Sequence, residues 1–349
     1  PTTPYNHRRQ RQMCIRDRFV TVGGAIASDV HGKNHHIEGS FTDHVSSLKI
    51  VTASDGIIDC SRELHPELFK ATCGGMGLTG IILEATLRLK NIQSAFINET
   101  IIKAKDLAEA LALFEEHQNT TYSVAWIDCL STGKKLGRSL LMLGEHSDDG
   151  DLITGKTGKL TVPFDMPGIL LNRYSIQVFN TLYYHRAVKT RSEHHVHYEP
   201  FFYPLDGIHQ WNRMYGKRGF SQYQFVLPKE AGLVGMTSVL KLIAESKRGS
   251  FLAVLKVLGK ANDNFLSFPI EGYTLALDFK LEAGLFELLD KLDKIVIEYG
   301  GRLYLTKDAR MSAEMLKQSY PNWKTFMEVR KKYGADNIFN SLQSQRLGL

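Results

Sequence analysis

Between positions 31 and 36 the chain places three imidazoles and a primary amine: His31, Lys33, His35 and His36. They close the run Gly23-Gly24-Ala25-Ile26-Ala27-Ser28-Asp29-Val30-His31-Gly32-Lys33-Asn34-His35-His36, whose small residues let backbone approach a ligand closely. Imidazole exchanges protons near neutral pH and an ammonium steadies developing negative charge, so the run suits chemistry beside a bound cofactor. A segment that only packed would alternate apolar residues instead. Gln222 and Gln224 alternate on a strand-like run, so both face one pocket and can hydrogen-bond sugar hydroxyls. His35 and His36, adjacent on extended backbone, are expected to point to opposite faces. The spacing offers no closed metal-ligand set, and no metal is expected.

These residues need elements to hold them. Leu48–Ala53 and Ile57–Cys60 flank Ser54-Asp55-Gly56 and read as a hairpin, with Asp-Gly supplying the turn. Glu67–Thr72 reads as a short helix stopped by Gly74-Gly75, and Gly80–Leu89 as a strand. Gly74, Gly75, Gly77 and Gly80 either shape the turn before a buried strand or admit a ligand. Apolar spacing predicts helices over Lys105–His117, Leu233–Ser246 and Leu285–Tyr299, the last closed by Gly300-Gly301. Strands are predicted at Tyr122–Asp128, Leu140–Leu143, Gln222–Leu227, Phe251–Val257 and Thr274–Phe279. Residues 147–195 carry Gly, Asp, Thr, Pro and Asn freely and read as a long excursion with a mobile part. Trp211 and Tyr215, four apart, read as packing residues of a helix. No internal repeat is visible.

Composition sets the limits. The 349 residues, 43% hydrophobic, suffice for a substantial core and two domains. No apolar run approaches the roughly 20 residues that a membrane-spanning helix needs. Cys14, Cys60, Cys73 and Cys129 lie far apart without a C-x-x-C motif and read as free buried thiols. Residues 1–18, with Arg8, Arg9, Arg11, Arg16 and Arg18 against Asp17, read as a non-native tail. They contribute +4 of the formal +6, which leaves little basis for nucleic-acid binding in the fold.

The runs GGAIASDVHGKNHH, GSFTDHV, ATCGGMGLTGIILEATL, WNRMYGKRGFSQYQFVLP, LSFPIEGY and GGRLYLTKDARM together resemble the decaprenylphosphoryl-β-D-ribose 2-oxidase family. That family belongs to the vanillyl-alcohol-oxidase, or PCMH-type, flavoproteins. The resemblance covers nearly everything after Phe19. It implies an α+β protein in which a PCMH-type FAD-binding domain holds an inserted antiparallel-sheet substrate domain. Residues 19–94 and 302–349 would lie with the flavin and 95–301 with the substrate. The family's preceding FAD half, with its pyrophosphate loop, is expected to be missing here.

The resemblance carries cofactor contacts onto Thr21, Val22, Gly23, Gly24, Ser28, Asp29, Val30, His31, Ile82 and Tyr304. Lys307 and His31 match the family's catalytic positions, and Lys33, Gln222, Gln224, Lys256 and Lys307 its substrate pocket, with Lys256 expected to meet a phosphate. The implied reaction is oxidation of a sugar's secondary alcohol to a ketone, with hydride passing to FAD and the proton to a base. The implied substrate is a polyprenyl-phosphoryl pentose, taken at its 2-hydroxyl in cell-wall arabinan biosynthesis. An NAD(P)H-dependent reductase would complete an epimerisation. The implied place is the bacterial cytoplasm or periplasm, peripheral to the inner membrane. Alternatives are a sugar-1,4-lactone oxidase of the same superfamily and a non-catalytic fragment unable to bind FAD alone. Where the family has an Asn and then a reactive Cys, this chain has Thr274 and Ala276, so an inhibitor that bonds to that thiol has no target. Phe202 stands where a tyrosine often occurs.

Overall fold

The computed structural model describes residues 20–150, 152 and 160–349. The tail read at residues 1–18, Phe19, Cys14 and part of the 147–195 excursion lie outside the described residues.

Helix α1 (Val22–Ala27) and the single-turn α2 (His35–Glu38) come first, α1 capped by Thr21 Oγ1, which accepts from Gly24 N at 3.0 Å. Strands β1 (Val45–Thr52), β2 (Gly56–Ser61) and β3 (Ile81–Leu87) form an antiparallel sheet with β1 central, and α3 (Pro66–Thr72) lies between β2 and β3 in sequence. The expected hairpin is present, pairing Thr52 with Gly56, whose φ of +68° suits glycine. Gly74 takes φ +78°, and a Cβ at Gly80 would sit 2.3 Å from the Val51 carbonyl oxygen, so both are needed to shape the turn. The strand that follows is a half-exposed edge, not a buried one, because β1 covers one side of it alone.

Strand β4 (Phe96–Ala104), helix α4 (Leu107–Glu116), β5 (Tyr122–Ile127), β6 (Ser139–His146), β7 (Leu160–Thr161) and α5 (Arg173–His185) follow. After them come β8 (Arg191–His197), α6 (Tyr198–Phe202), β9 (Ile208–His209), β10 (Phe220–Pro228) and α7 (Gly232–Ser246). Next are β11 (Val254–Leu258), β12 (Gly272–Lys280), α8 (Leu285–Glu298) and β13 (Arg302–Leu303). The chain closes with α9 (Ala313–Ser319), α10 (Trp323–Lys332) and α11 (Leu342–Leu347). Among the described residues one sheet runs β13-β10-β12-β11-β5-β6-β4-β8, antiparallel at every pairing. The architecture is therefore α+β with antiparallel sheets.

The register decides what this sheet does. Antiparallel partners share a face, and β10 pairs with β12 as Gln222↔Asp278, Gln224↔Ala276 and Val226↔Thr274, while Lys256 of β11 pairs with Thr274. One face of the central strands thus gathers Gln222, Gln224, Thr274, Asp278 and Lys256. The other gathers Tyr223, Phe225, Leu255, Leu275 and Leu277, all buried. Helices α4, α7 and α8 bury Leu111, Phe114, Met236, Leu240, Leu289 and Leu292 in the same core cluster.

Two expectations need correction. The excursion at 147–195 contains a thirteen-residue helix, α5, capped by Asn172 Oδ1 accepting from the amides of Tyr174 and Ser175. His35 and His36 lie on a helical turn, not on extended backbone. They still diverge: His35 is buried, and half-buried His36 contacts the Thr120 carbonyl through Nε2 at 2.9 Å. Trp211 and Tyr215 pack on a 3-10 turn against Phe220, as expected of packing residues. Cys60, Cys73 and Cys129 are free and buried.

Candidate active site

The loop after α1 turns inward at Asp29, whose φ of +39° is tolerated because every branch of its side chain is tied down. One carboxylate oxygen accepts from Ser40 Oγ at 2.7 Å, Thr42 N at 3.1 Å and Thr42 Oγ1 at 2.6 Å. The other accepts from Asn262 Nδ2 at 2.8 Å, Asn264 Nδ2 at 3.3 Å and Ser267 Oγ at 2.5 Å. The Asp29 carboxylate is fully enclosed and anchors the loop, so any cofactor contact at this position falls to its backbone. The neighbouring Ser28 carbonyl accepts from Tyr304 Oη at 3.2 Å, which fixes the ring of Tyr304 beside the loop.

His31 is 1% exposed and packs against Phe268 and Tyr304, with ring centroids 5.4 and 5.5 Å away. Its Nε2 lies 3.0 Å from Gln224 Nε2 and its Nδ1 3.0 Å from Lys256 Nζ. Burial, and then the positive charges of Lys256, His35 and Lys307, hold its pKa well below the usual histidine value, so the ring is neutral at pH 7. His35 is pushed down to about 4, by burial first, and its Nδ1 accepts from Gly259 N at 3.0 Å, a bond that protonation would break.

Thr274 Oγ1 donates its single proton to the Phe225 carbonyl at 2.8 Å, so it accepts from Gln224 Nε2, 3.2 Å away. The same Gln224 nitrogen lies 3.0 Å from His31 Nε2, so the amide bridges Thr274 and the imidazole. On the other side of the ring the Lys256 charge opposes protonation, which leaves a neutral, basic imidazole in a buried polar cluster.

Lys256 was expected to meet a phosphate. It is 4% exposed, with Nζ 3.0 Å from His31 Nδ1. Lys307 lies on a 3-10 turn, Leu305–Lys307, and lines a cleft of about 280 Å³, part of it open solvent, with Gln222, Gln224, Tyr304 and Arg310. Gln222 donates to Asp278 Oδ1 at 2.9 Å, so the two glutamines do share a face and a cleft. Lys33 is not gathered with His31. Its ammonium donates to the Phe201 carbonyl and sits 4.0 Å from the Phe201 ring centroid, where it also favours the charged form of Glu99 against burial.

At α1 the N-terminal turn is open. A Cβ at Gly23 would meet nothing within 4 Å, Thr21 is exposed, and Val20 and Val22 are 36% and 50% exposed. Val30 is half-buried, its amide donating to Ala25 O at 3.1 Å, and Ile82 is half-buried on β3. The open turn at Gly23, where even a Cβ would meet nothing within 4 Å, is compatible with close approach of a flavin to the backbone.

Comparison with known proteins gives the family. Decaprenylphosphoryl-beta-D-ribose oxidase of Mycolicibacterium smegmatis is 38% identical over 95% of this chain and 74% of its own length. The chain belongs to the decaprenylphosphoryl-β-D-ribose oxidase family. Its members are FAD-dependent oxidoreductases that act on sugar CH–OH groups. An uncharacterised protein from Streptomyces coelicolor is 30% identical over 95% of the chain and 93% of its own length. L-gulono-1,4-lactone dehydrogenase of Mycobacterium tuberculosis is 21% identical over 94% and 73%. The D-arabinono-1,4-lactone oxidase family model matches residues 277–347, a stretch that includes Tyr304 and Lys307.

Reading the sequence of this family member singled out His31, Gln224, Lys256, Tyr304 and Lys307, which the fold brings to one place. It missed Phe268 against the imidazole and the Asn262, Asn264 and Ser267 side chains that hold Asp29. The run LSFPIEGY carried the signal for Phe268, while Asn262 and Asn264 had none beyond their density in a loop.

Proposed function

We propose that this chain oxidises a secondary hydroxyl of a sugar to a ketone, the 2-hydroxyl of a polyprenyl-phosphoryl pentose being the substrate. The observation that supports this best is the neutral His31 enclosed between Gln224 and Lys256, with Lys307 lining the adjoining cleft. The hydroxyl proton passes to His31, whose ring is held neutral by burial and by the neighbouring Lys256 charge. The Lys307 ammonium steadies the substrate oxygen as its proton leaves, and Gln222 and Gln224 orient the hydroxyls. FAD supplies the hydride acceptor. Thr21, Val22, Gly23, Gly24, Ser28, Val30 and Ile82 would hold it from the α1 side and Tyr304 from the other, the ring contacts made by backbone and apolar surface.

In this reading residues 19–94 and 302–349 form the flavin-side, PCMH-type unit and 95–301 an inserted substrate unit. An NAD(P)H-dependent reductase takes the ketone onward, and the lipid substrate keeps the protein at a membrane surface. A second reading, oxidation of an aldonolactone, is favoured by the lactone-oxidase match at 277–347. Anaerobic mixing separates the two: the prenyl-phosphoryl pentose bleaches the flavin bands under the first, and an aldonolactone alone does so under the second.

Binding comes before chemistry. Incubated with excess FAD and desalted, the chain is expected to keep the visible flavin bands, and a colourless protein would reject it as a flavin-binding unit. Thr274→Val removes the acceptor that orients Gln224 and is expected to lower the rate of flavin reduction by roughly tenfold, about 1.4 kcal/mol. It should also displace the pH profile, since the amide is then free to turn. Thr274→Ser should restore both, and an unchanged profile in the valine variant would refute the link from Thr274 through Gln224 to His31.

A further inference from the structure

We propose that the outer face of α5, with the Gly168–Leu170 turn leading into it, is a docking surface for an anionic lipid bilayer. This extends the membrane contact proposed above by naming the surface and the lipid charge, and it rests on surface residues outside the active site.

The inner face of α5 is well seated. Ile176 and Asn180 are buried, Asn180 Nδ2 donates to Asp128 Oδ1 at 2.8 Å, and Tyr183 lies 4.7 Å from the Trp126 ring. The outward face should then be polar in a helix that meets only water. It is not. Tyr174, Val178 and Leu182, spaced four apart on one stripe, are 74%, 59% and 67% exposed, and Ile169 at the helix entrance is 81% exposed. Leu170, next to Ile169, and Val188, just past the helix, are exposed as well. Such a concentration marks an interaction surface rather than scattered exposed residues.

Charge says what covers it. From Met166 to Ser192 the chain carries Arg173, Arg186, Lys189 and Arg191 and no carboxylate. Arg191 leans on Glu193 at 3.6 Å and Arg186 stacks on the Tyr183 ring at 3.9 Å with its charge also felt at Glu99, while Arg186 and Lys189 both remain exposed at the C-terminal end of the helix. An apolar stripe bordered by cations is the pattern of helices that lie in the headgroup boundary of anionic membranes. The entrance turn is held firmly, with Lys280 Nζ donating to the Gly168 carbonyl at 2.6 Å and to Leu171 O at 3.2 Å, so the apolar side chains are presented without prior ordering. Among the described residues no helix is long and apolar enough to cross a membrane, so the contact is peripheral.

The full chain is tested by co-sedimentation with vesicles of phosphatidylcholine alone or with phosphatidylglycerol. Wild type is expected to bind the anionic vesicles at least tenfold more tightly than the zwitterionic ones, an advantage that salt erodes. Ile169→Ser/Val178→Ser/Leu182→Ser should lose binding to both. Arg186→Gln/Lys189→Gln should lose about fivefold per charge on anionic vesicles alone. Circular dichroism should show both variants folded, as the side chains are exposed. Absence of wild-type binding overturns the proposal, as does undiminished binding of the folded triple variant. So does concentration-dependent self-association that the triple variant abolishes, which would make the face an interface between copies. Flavin bands are recorded in the same samples: vesicle binding without flavin leaves this surface standing and rejects the active-site reading, and the reverse result rejects the surface.

Discussion

Replacing Lys307 by alanine is expected to slow flavin reduction by substrate at least about a hundredfold, the scale of losing one preorganised charged group at a reacting oxygen. Lys307 sits on the 3-10 turn that follows Tyr304 and lines the cleft with Gln222 and Gln224. Its charge is also felt at His31, where it opposes protonation. The substitution thus has two effects of opposite use. It removes the cation that steadies the substrate oxygen as its proton leaves, and it makes His31 somewhat easier to protonate, raising the pKa from its depressed value. The rate loss should therefore deepen as pH falls, since more of the histidine is then charged and unable to accept. Folding should be little affected because the side chain lies at a cleft. Stopped-flow reduction across a pH series, with the flavin spectrum as the control for binding, decides the matter. Reduction at the wild-type rate would remove Lys307 from the reaction.

How much of this was legible before the fold was known follows from the range of each interaction. The alternation Gln222-Tyr223-Gln224-Phe225 stated outright that one face of β10 is polar and the other apolar, and the register with β12 and β11 placed Thr274 and Lys256 on the polar one. Helices with a single apolar stripe, such as α8, were equally plain. Helix α5 was hidden because Tyr174, Val178 and Leu182 are apolar on its outer face as Ile176 is on its inner one, so no stripe stood out, and its aromatic and β-branched residues are modest helix formers. The role of Asp29 was unreadable for another reason: half of its partners lie more than 230 residues away, in a loop without periodicity. Lys256 carried no local sign of its partner either, because a lysine in a strand looks the same whether it meets a phosphate or an imidazole.

That anchor yields the largest expected effect on stability. Asp29→Asn should cost about 3 kcal/mol or more, although asparagine suits the positive φ at least as well as aspartate does. Each carboxylate oxygen receives three donors: Ser40 Oγ, Thr42 N and Thr42 Oγ1 on one side, Asn262, Asn264 and Ser267 on the other. An amide must turn its NH2 toward one of these sets, leaving buried donors facing a donor, and neither orientation relieves this. For a chain of this size the loss corresponds to a fall of roughly 4 °C or more in melting temperature. The damage should reach the active site, because the loop that Asp29 holds also carries the Ser28 carbonyl under Tyr304 and the backbone of His31. Flavin affinity is therefore expected to weaken together with stability, whereas Lys307→Ala leaves stability in place. Urea denaturation with and without FAD measures both. A variant within about 0.5 kcal/mol of wild type, the scatter expected of a neutral surface change, would show that the six donors find other partners.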